Sequence, residues 1–253
     1  MMHLSEHWQA SACEALGVLS SALRSMSGHG AAFQSPACRL PSVSAARQED
    51  LTVCPAMNAP RQAVATFTNE QFERLVRSGG LGDMRVELRR GLIVKMSPQY
   101  VAHATVKRLM AKAIEAALGK AGLDWIVDQE LSVSFANAFE PMPDIVVWDA
   151  TSAPVDLKGP VPASAVRLIV EVADFTLADD LGEKLEDYAA GGLAEYWVAD
   201  VQGRLVLRHS GPQAATYAKR EPARFGETIA ALTIPALEVD TSALLIEPFH
   251  SAG

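Results

Sequence analysis

The chain has 253 residues, of which 49% are hydrophobic and 21% charged, and its formal net charge is -8 at pH 7. This composition is typical of a soluble globular protein and excludes disorder of the whole chain. The acidic balance disfavours broad, non-specific attraction to nucleic acid, which normally requires a basic surface.

All three cysteines, Cys13, Cys38 and Cys54, lie in the first quarter of the chain. Their spacing matches neither a paired disulfide framework nor a CxxC metal knuckle. No apolar run approaches the roughly 20 residues that span a bilayer, and no basic stretch precedes the first apolar run. We therefore expect a soluble protein in a reducing, cytoplasmic compartment.

Residues 1–65 are rich in Ala, Ser, Gly and Pro and show no sustained periodicity. Such a segment has little to bury, so we predict a disordered N-terminal extension followed by one domain over residues 66–248. Met57 precedes a short polar stretch and then a clear helix start, which suggests that translation begins there.

The predicted domain opens with a helix capped by Thr68, with Gln71 placed to complete a capping box. The next segment, Val86 to Met96, is predicted to form a hairpin with a turn at Arg90 and Gly91. Apolar positions at helical spacing from His103 to Leu118 predict a long second helix.

Three short segments rich in β-branched and aromatic residues follow, which we predict to be strands: Trp125 to Phe135, Asp144 to Trp148 and Val166 to Val172. A helix from Leu177 to Ala190, a strand from Glu195 to Asp200 and a hairpin from Arg204 to Tyr217 complete the pattern. This order predicts an α/β or α+β fold, with helices packed on a mixed β-sheet.

Two carboxylates stand beside or inside apolar strands, where a charge is costly unless it is paired or bound to a metal. Asp144 enters a strand after a proline-bounded turn, and Glu171 lies within the run from Leu168 to Val172. The alternatives are a turn-capping role for Asp144 and a salt bridge or an exposed edge strand for Glu171.

Lys184 is the third candidate, because it shares one face of the predicted helix with Leu177, Leu181 and Tyr188. That face should pack against the sheet. The alternatives are a surface lysine whose stem covers apolar area, or an ion pair with Asp180 one turn earlier.

Two upstream residues are accessory candidates. Glu87 lies in an apolar strand and is a further candidate ligand or water contact, while His103 opens the long helix and is a candidate for capping, phosphate contact or proton transfer. Structural roles remain open for both.

Two carboxylates and a lysine near one edge of a sheet suit phosphodiester hydrolysis. Oxygen ligands hold Mg²⁺, or Mn²⁺, and the metal lowers the pKa of a bound water. The ammonium would orient the attacking water or stabilise developing negative charge.

The sequence resembles the Uma-two family, whose members are grouped with restriction endonucleases. The match runs in order from about Phe67 to Leu245 and rests on these residues: Val86 to Pro98, His103, Pro143, Asp144, Glu171, Val172, Asp180, Lys184, Tyr188 and Glu195 to Asp200.

The resemblance implies a restriction-endonuclease-like fold of the PD-(D/E)xK kind, with Asp144 and Glu171 as the acidic pair. Ala173 stands where that superfamily expects lysine, and Lys184 matches the family's lysine on the following helix. Asp174 and Phe175 depart from the Ser-Pro or Asp-Ser pair of many members. DNA as substrate is implied by the family alone.

A second hypothesis is a non-catalytic binding or assembly module, in which the three groups form a buried ion network. The net acidity fits this alternative, and metal binding would distinguish the two. Neither a G-x-S-x-G elbow nor a GxxxxGK[ST] loop is present, which disfavours nucleophilic hydrolases and ATP-driven function. A homodimer would suit double-strand cleavage.

Overall fold

The computed structural model describes residues 64–245, except Val155. The three cysteines, Met57 and nearly all of the predicted N-terminal extension lie outside the described residues, so those expectations stay predictions. In the described part of the chain, no helix is both long and apolar enough to cross a membrane.

The first half of the described chain carries two helices and five strands. Thr68 caps the first helix and forms the expected capping box with Gln71. The elements are α1 (Asn69–Arg77), β1 (Val86–Arg89), β2 (Leu92–Lys95), α2 (Val101–Ala121), β3 (Ile126–Gln129), β4 (Val133–Ser134) and β5 (Ile145–Trp148).

The second half adds the remaining strands and two short helices. These elements are β6 (Val161–Pro162), β7 (Val166–Ala173), α3 (Leu177–Asp180), α4 (Glu183–Ala190), β8 (Glu195–Asp200), β9 (Leu205–Gln213), β10 (Thr216–Arg224), β11 (Thr228–Ala230) and β12 (Glu238–Asp240). Single 3₁₀ turns occupy Ala163–Ala165 and Ser242–Leu244.

The central sheet has six strands in the order β10-β9-β8-β7-β5-β3. The β7–β8 pair is parallel and the other pairs are antiparallel, so the sheet is mixed, as predicted. Parallel strands need a crossover connection, and α3 and α4 provide it. The fold class inferred from the sequence is therefore confirmed.

Each face of the sheet packs on its own apolar cluster. The cluster on one face joins α2 to β11 and β12, through residues such as Met110, Ile114 and Val239. The cluster on the other face is aromatic and includes Phe139, Tyr188 and Tyr196. Because both faces are covered, β5 is a continuous apolar run and β7 is apolar except at Arg167 and Glu171.

Two predicted elements differ from the structure. The single helix expected from Leu177 to Ala190 is divided into α3 and α4 at Gly182, where a Cβ atom would lie 2.7 Å from the Ala178 carbonyl oxygen. The strand expected from Trp125 to Phe135 is broken after Gln129, because Glu130 has a positive φ of 56°. Both breaks are backbone effects that the apolar pattern does not encode.

Candidate active site

Asp144 and Glu171 lie side by side on neighbouring strands. The antiparallel register pairs Ile145 of β5 with Val170 of β7, which brings the two carboxylate residues together. The backbone N–H of Asp144 donates to Oε2 of Glu171 over 3.3 Å, and the N–H of Val172 donates to Oδ2 of Asp144 over 2.9 Å. Sheet register therefore fixes the acidic pair.

Glu171 is buried inside β7, with 3% of its surface exposed. Strand alternation places its side chain on the face that α4 covers, where Oε1 accepts hydrogen bonds from Lys184 over 3.1 Å and from the Tyr188 hydroxyl over 2.9 Å. An exposed edge strand, one alternative for this residue, does not occur.

Lys184 reaches the pair from the first turn of α4. Its ammonium also lies 3.5 Å from Oδ1 of Asp180, so the ion pair considered from the sequence is present in addition to the Glu171 contact, but it joins α3 to α4 rather than two turns of one helix. Burial lowers the pKa of Lys184, but Glu171, Glu87 and Asp180 raise it more, and the net shift is upward. The side chain is therefore a protonated ammonium at neutral pH.

On the opposite side, α2 and the loop before it surround Asp144. His103 Nε2 lies 3.0 Å from Oδ2, and Gln99 donates to Oδ1 over 3.2 Å. Lys107, one helical turn after His103, donates to Gln99 and to Glu130, and its ammonium lies 3.7 Å from Oδ1 of Asp144.

The remaining accessory candidates complete the cluster. Glu87 is 4% exposed, and its Oε2 has no hydrogen-bond partner among the described residues. Asp180 is 2% exposed and accepts a hydrogen bond from the Thr176 hydroxyl. Both therefore add buried carboxylate oxygens beside Glu171.

This crowding of acidic groups separates the pKa values of the central pair. Burial raises the pKa of Glu171; Lys184 opposes that rise, and Asp144 and Asp180 add to it. Burial also opposes ionisation of Asp144, but contacts from His103 and the Val172 N–H lower its pKa overall. The raised pKa shows that the protein alone does not fully stabilise the ionised form of Glu171, and a bound cation would favour that form.

All six residues singled out from the sequence line one cavity of about 870 Å³. They are Glu87, His103, Asp144, Glu171, Asp180 and Lys184. The structure brings the whole set together.

Sequence reasoning missed two polar residues of the site and the role of a third. Gln99 and Lys107 were not singled out, although Lys107 follows His103 at the i+4 spacing that shares a helix face. Tyr188 was read as apolar packing, but its hydroxyl contacts Glu171.

The donor set fits a hard divalent cation. In the described part of the chain, no three His, Cys, Asp or Glu side chains converge closely enough to enclose an ion by themselves. Mg²⁺ does not need such a cage, because it keeps several waters and is usually held by one or two carboxylates plus substrate phosphate. The Oε2 of Glu87, which has no hydrogen-bond partner among the described residues, would be a further acceptor for a water on such an ion.

The fold has a solved counterpart. A crystal structure described as "a putative nuclease belonging to DUF820", from Anabaena variabilis, superposes with a TM-score of 0.53 at 15% sequence identity. The alignment covers 70% of this chain and 97% of that one. At this identity the likeness establishes the restriction-endonuclease-like fold.

Sequence comparison assigns the family. The profile of the family described as "Uma2: Putative restriction endonuclease" matches residues 69–242, and the chain belongs to that family. No curated protein matches the chain. Membership places the chain among proteins grouped as nucleases, a class of hydrolases.

Proposed function

We propose that this protein is a Mg²⁺-dependent endonuclease that hydrolyses phosphodiester bonds in DNA. The observation that carries the proposal is the contact between Lys184 and Glu171 at 3.1 Å, beside Asp144, in a cavity of about 870 Å³. An acidic pair that can hold a metal and a protonated lysine beside it are groups that metal-assisted phosphodiester hydrolysis can use.

Asp144 and Glu171 would hold Mg²⁺, or Mn²⁺ in its place. When bound, the metal supplies a water of lowered pKa and neutralises charge on the phosphate. His103 and the Val172 N–H keep Asp144 ionised and oriented, and Tyr188 orients Glu171. These contacts prepare both carboxylates as ligands.

Lys184 would stabilise the negative charge that develops on the phosphate, or hold the attacking water. Its ammonium stays charged because the surrounding carboxylates raise its pKa. Glu87 is an accessory acceptor for a water proton, since its Oε2 is free of protein partners among the described residues. Asp180 lies within 3.5 Å of the ammonium and steadies it.

A second function is favoured by a specific observation. Every carboxylate oxygen of Asp144 and Glu171 already has a donor within the protein. A binding or assembly module that uses these groups as a buried ion network would show the same contacts. The two functions differ in whether a divalent ion is required.

Cleavage of DNA tests the proposal directly. The purified chain is incubated with supercoiled plasmid and with single-stranded DNA, in Mg²⁺, Mn²⁺ or EDTA, beside Asp144→Asn, Glu171→Gln and Lys184→Met. We expect metal-dependent cleavage that falls about 100-fold or more in each variant.

Matched controls come from α2. Glu115→Gln and Lys112→Met remove one exposed charge of each sign outside the cavity and should cleave like the wild type. A folded wild type that cleaves no DNA in any metal would overturn the endonuclease and leave the ion network as its replacement.

A further inference from the structure

Two exposed aromatic side chains stand at the mouth of the active-site cavity. Tyr100 is 63% exposed and Phe175 is 77% exposed, and both line the cavity. Their ring centroids are 6.2 Å apart with an interplanar angle of 84°, an edge-to-face pair. Most of each ring therefore faces solvent.

The aromatic pair, Tyr100 and Phe175, is attached to the segments that carry the site. Tyr100 caps α2 three residues before His103, and Phe175 follows β7 four residues after Glu171. Chain geometry limits the Cα–Cα distances from Tyr100 to His103 and from Phe175 to Glu171 to at most about 11 and 14 Å. Both rings line the cavity that contains the acidic pair, so a ligand that extends from the pair through the cavity can reach them.

Phe175 also has no evident structural task. It belongs to neither apolar cluster of the core, and its ring contacts only Tyr100 among the aromatic pairs of the described residues.

The charge around the cavity argues against affinity based on phosphate contacts. The described lining holds six acidic side chains and three basic ones, Arg89, Lys95 and Lys184. Arg89 lies 2.9 Å from Asp179, and Lys184 is held by Glu171. Duplex DNA is normally bound by neutralising many phosphates. This acidic lining therefore favours a substrate that is bound mainly through contacts other than those to phosphate.

We propose that Tyr100 and Phe175 stack an unpaired nucleobase next to the scissile phosphate, so that the substrate is single-stranded or locally unpaired nucleic acid. Stacking on aromatic rings is independent of phosphate charge and tolerates any base. The inference rests on the proposed endonuclease function and deepens it by naming the form of the substrate.

Binding without cleavage tests the stacking. The full chain, with Ca²⁺ replacing Mg²⁺, is titrated into fluorescein-labelled single-stranded 12-mers and into the matching duplex, and anisotropy gives Kd. We expect tighter binding of the single strand. Phe175→Leu and Tyr100→Leu, which keep an apolar side chain but lose the ring, should each weaken it about 5- to 100-fold.

Conservative variants and altered oligonucleotides separate stacking from general disturbance. Phe175→Trp and Tyr100→Phe retain a ring and should bind like the wild type, as should Leu157→Ala, which removes an apolar side chain that is 97% exposed outside the cavity. A 12-mer in which every position is abasic has no base to stack. It should bind the wild type about as weakly as the intact strand binds a Tyr100→Leu, Phe175→Leu double variant, and it should bind that double variant no more weakly than the wild type.

The possible outcomes distinguish the stacking proposal from the endonuclease proposal on which it rests. Equal or tighter duplex binding, or unchanged binding by both leucine variants, overturns the stacking, while metal-dependent plasmid cleavage would leave the endonuclease standing. A wild type that neither binds nor cleaves any nucleic acid overturns both.

Discussion

Tyr188 donates its phenolic hydrogen to Oε1 of Glu171 over 2.9 Å, and the same oxygen accepts the hydrogen bond from Lys184. A tyrosine in the aromatic cluster thus belongs to the acidic site as well. Its ring packs against Phe135, Phe139 and Tyr196, so ring and hydroxyl have separable roles.

Tyr188→Phe removes only the hydroxyl. We expect a loss of about 1 to 2 kcal/mol in the free energy of unfolding, because a buried carboxylate loses one of its donors. Cleavage should fall less than in Lys184→Met, since the lysine still holds Glu171. Urea unfolding and plasmid nicking measure the two effects; a variant as stable and active as the wild type would contradict the assigned contact.

Lys107→Met tests the support of Asp144 from α2. The Lys107 side chain is 8% exposed, and its ammonium lies among Gln99, Glu130 and Asp144. Its removal takes a shared donor from three acceptors, while Arg85 still pairs with Glu130 and His103 with Asp144. We expect a loss of about 2 kcal/mol in the free energy of unfolding.

Lys112→Met on the exposed side of the same helix is the matched control, with an expected change within about 0.5 kcal/mol. Chemical denaturation at pH 7 compares the two. Equal effects would mean that Lys107 does not act through its buried contacts.

Metal linkage separates the endonuclease from the ion network. Mg²⁺ at 100 times its Kd should add about 2.7 kcal/mol to the free energy of unfolding, because the ion binds only the folded state. Asp144→Asn should abolish this gain. If Mg²⁺ leaves the unfolding of a well-folded wild type unchanged, the carboxylates form an ion network instead.

Glu140, which lies outside the acidic pair, should make the stability of the protein depend on pH. Burial, reinforced by the charge of Glu73 and opposed by Arg77, raises the pKa of Glu140 from 4.5 to about 7. Its Oε2 has no hydrogen-bond partner among the described residues. Between these pKa values the unfolded chain releases the proton and the folded protein keeps it, so ionisation destabilises the fold as pH rises.

Glu140→Gln removes this penalty. We expect the variant to be more stable than the wild type above pH 7, by at most about 3 kcal/mol, with the advantage gone near pH 4.5. Urea unfolding from pH 4.5 to 8.5 measures the difference, with the exposed Glu115→Gln as control. A difference that does not vary with pH would refute the assignment.

The site could be predicted from the sequence where a charged residue lies within or beside an apolar strand. Glu171 was recognisable because a charge interrupts an apolar strand, and Asp144 because it adjoins one. The fold class followed from strand and helix patterns, which are local signals.

Other parts depend on contacts between distant segments. Gln99 lies in a loop, and only the packing of α2 against the sheet brings it to Asp144. Likewise, β1 reaches the site because Leu88 exchanges backbone hydrogen bonds with Glu140. The break at Gly182 reflects a backbone angle, and an apolar periodicity does not report one.

The separation of α3 from α4 means that the two parts of the site depend on different parts of the fold. Sheet register alone places Asp144 beside Glu171, whereas the position of Lys184 depends on the packing of α4 against β9 and β10. A substitution that shifts α4 would therefore move the ammonium and leave the acidic pair in register.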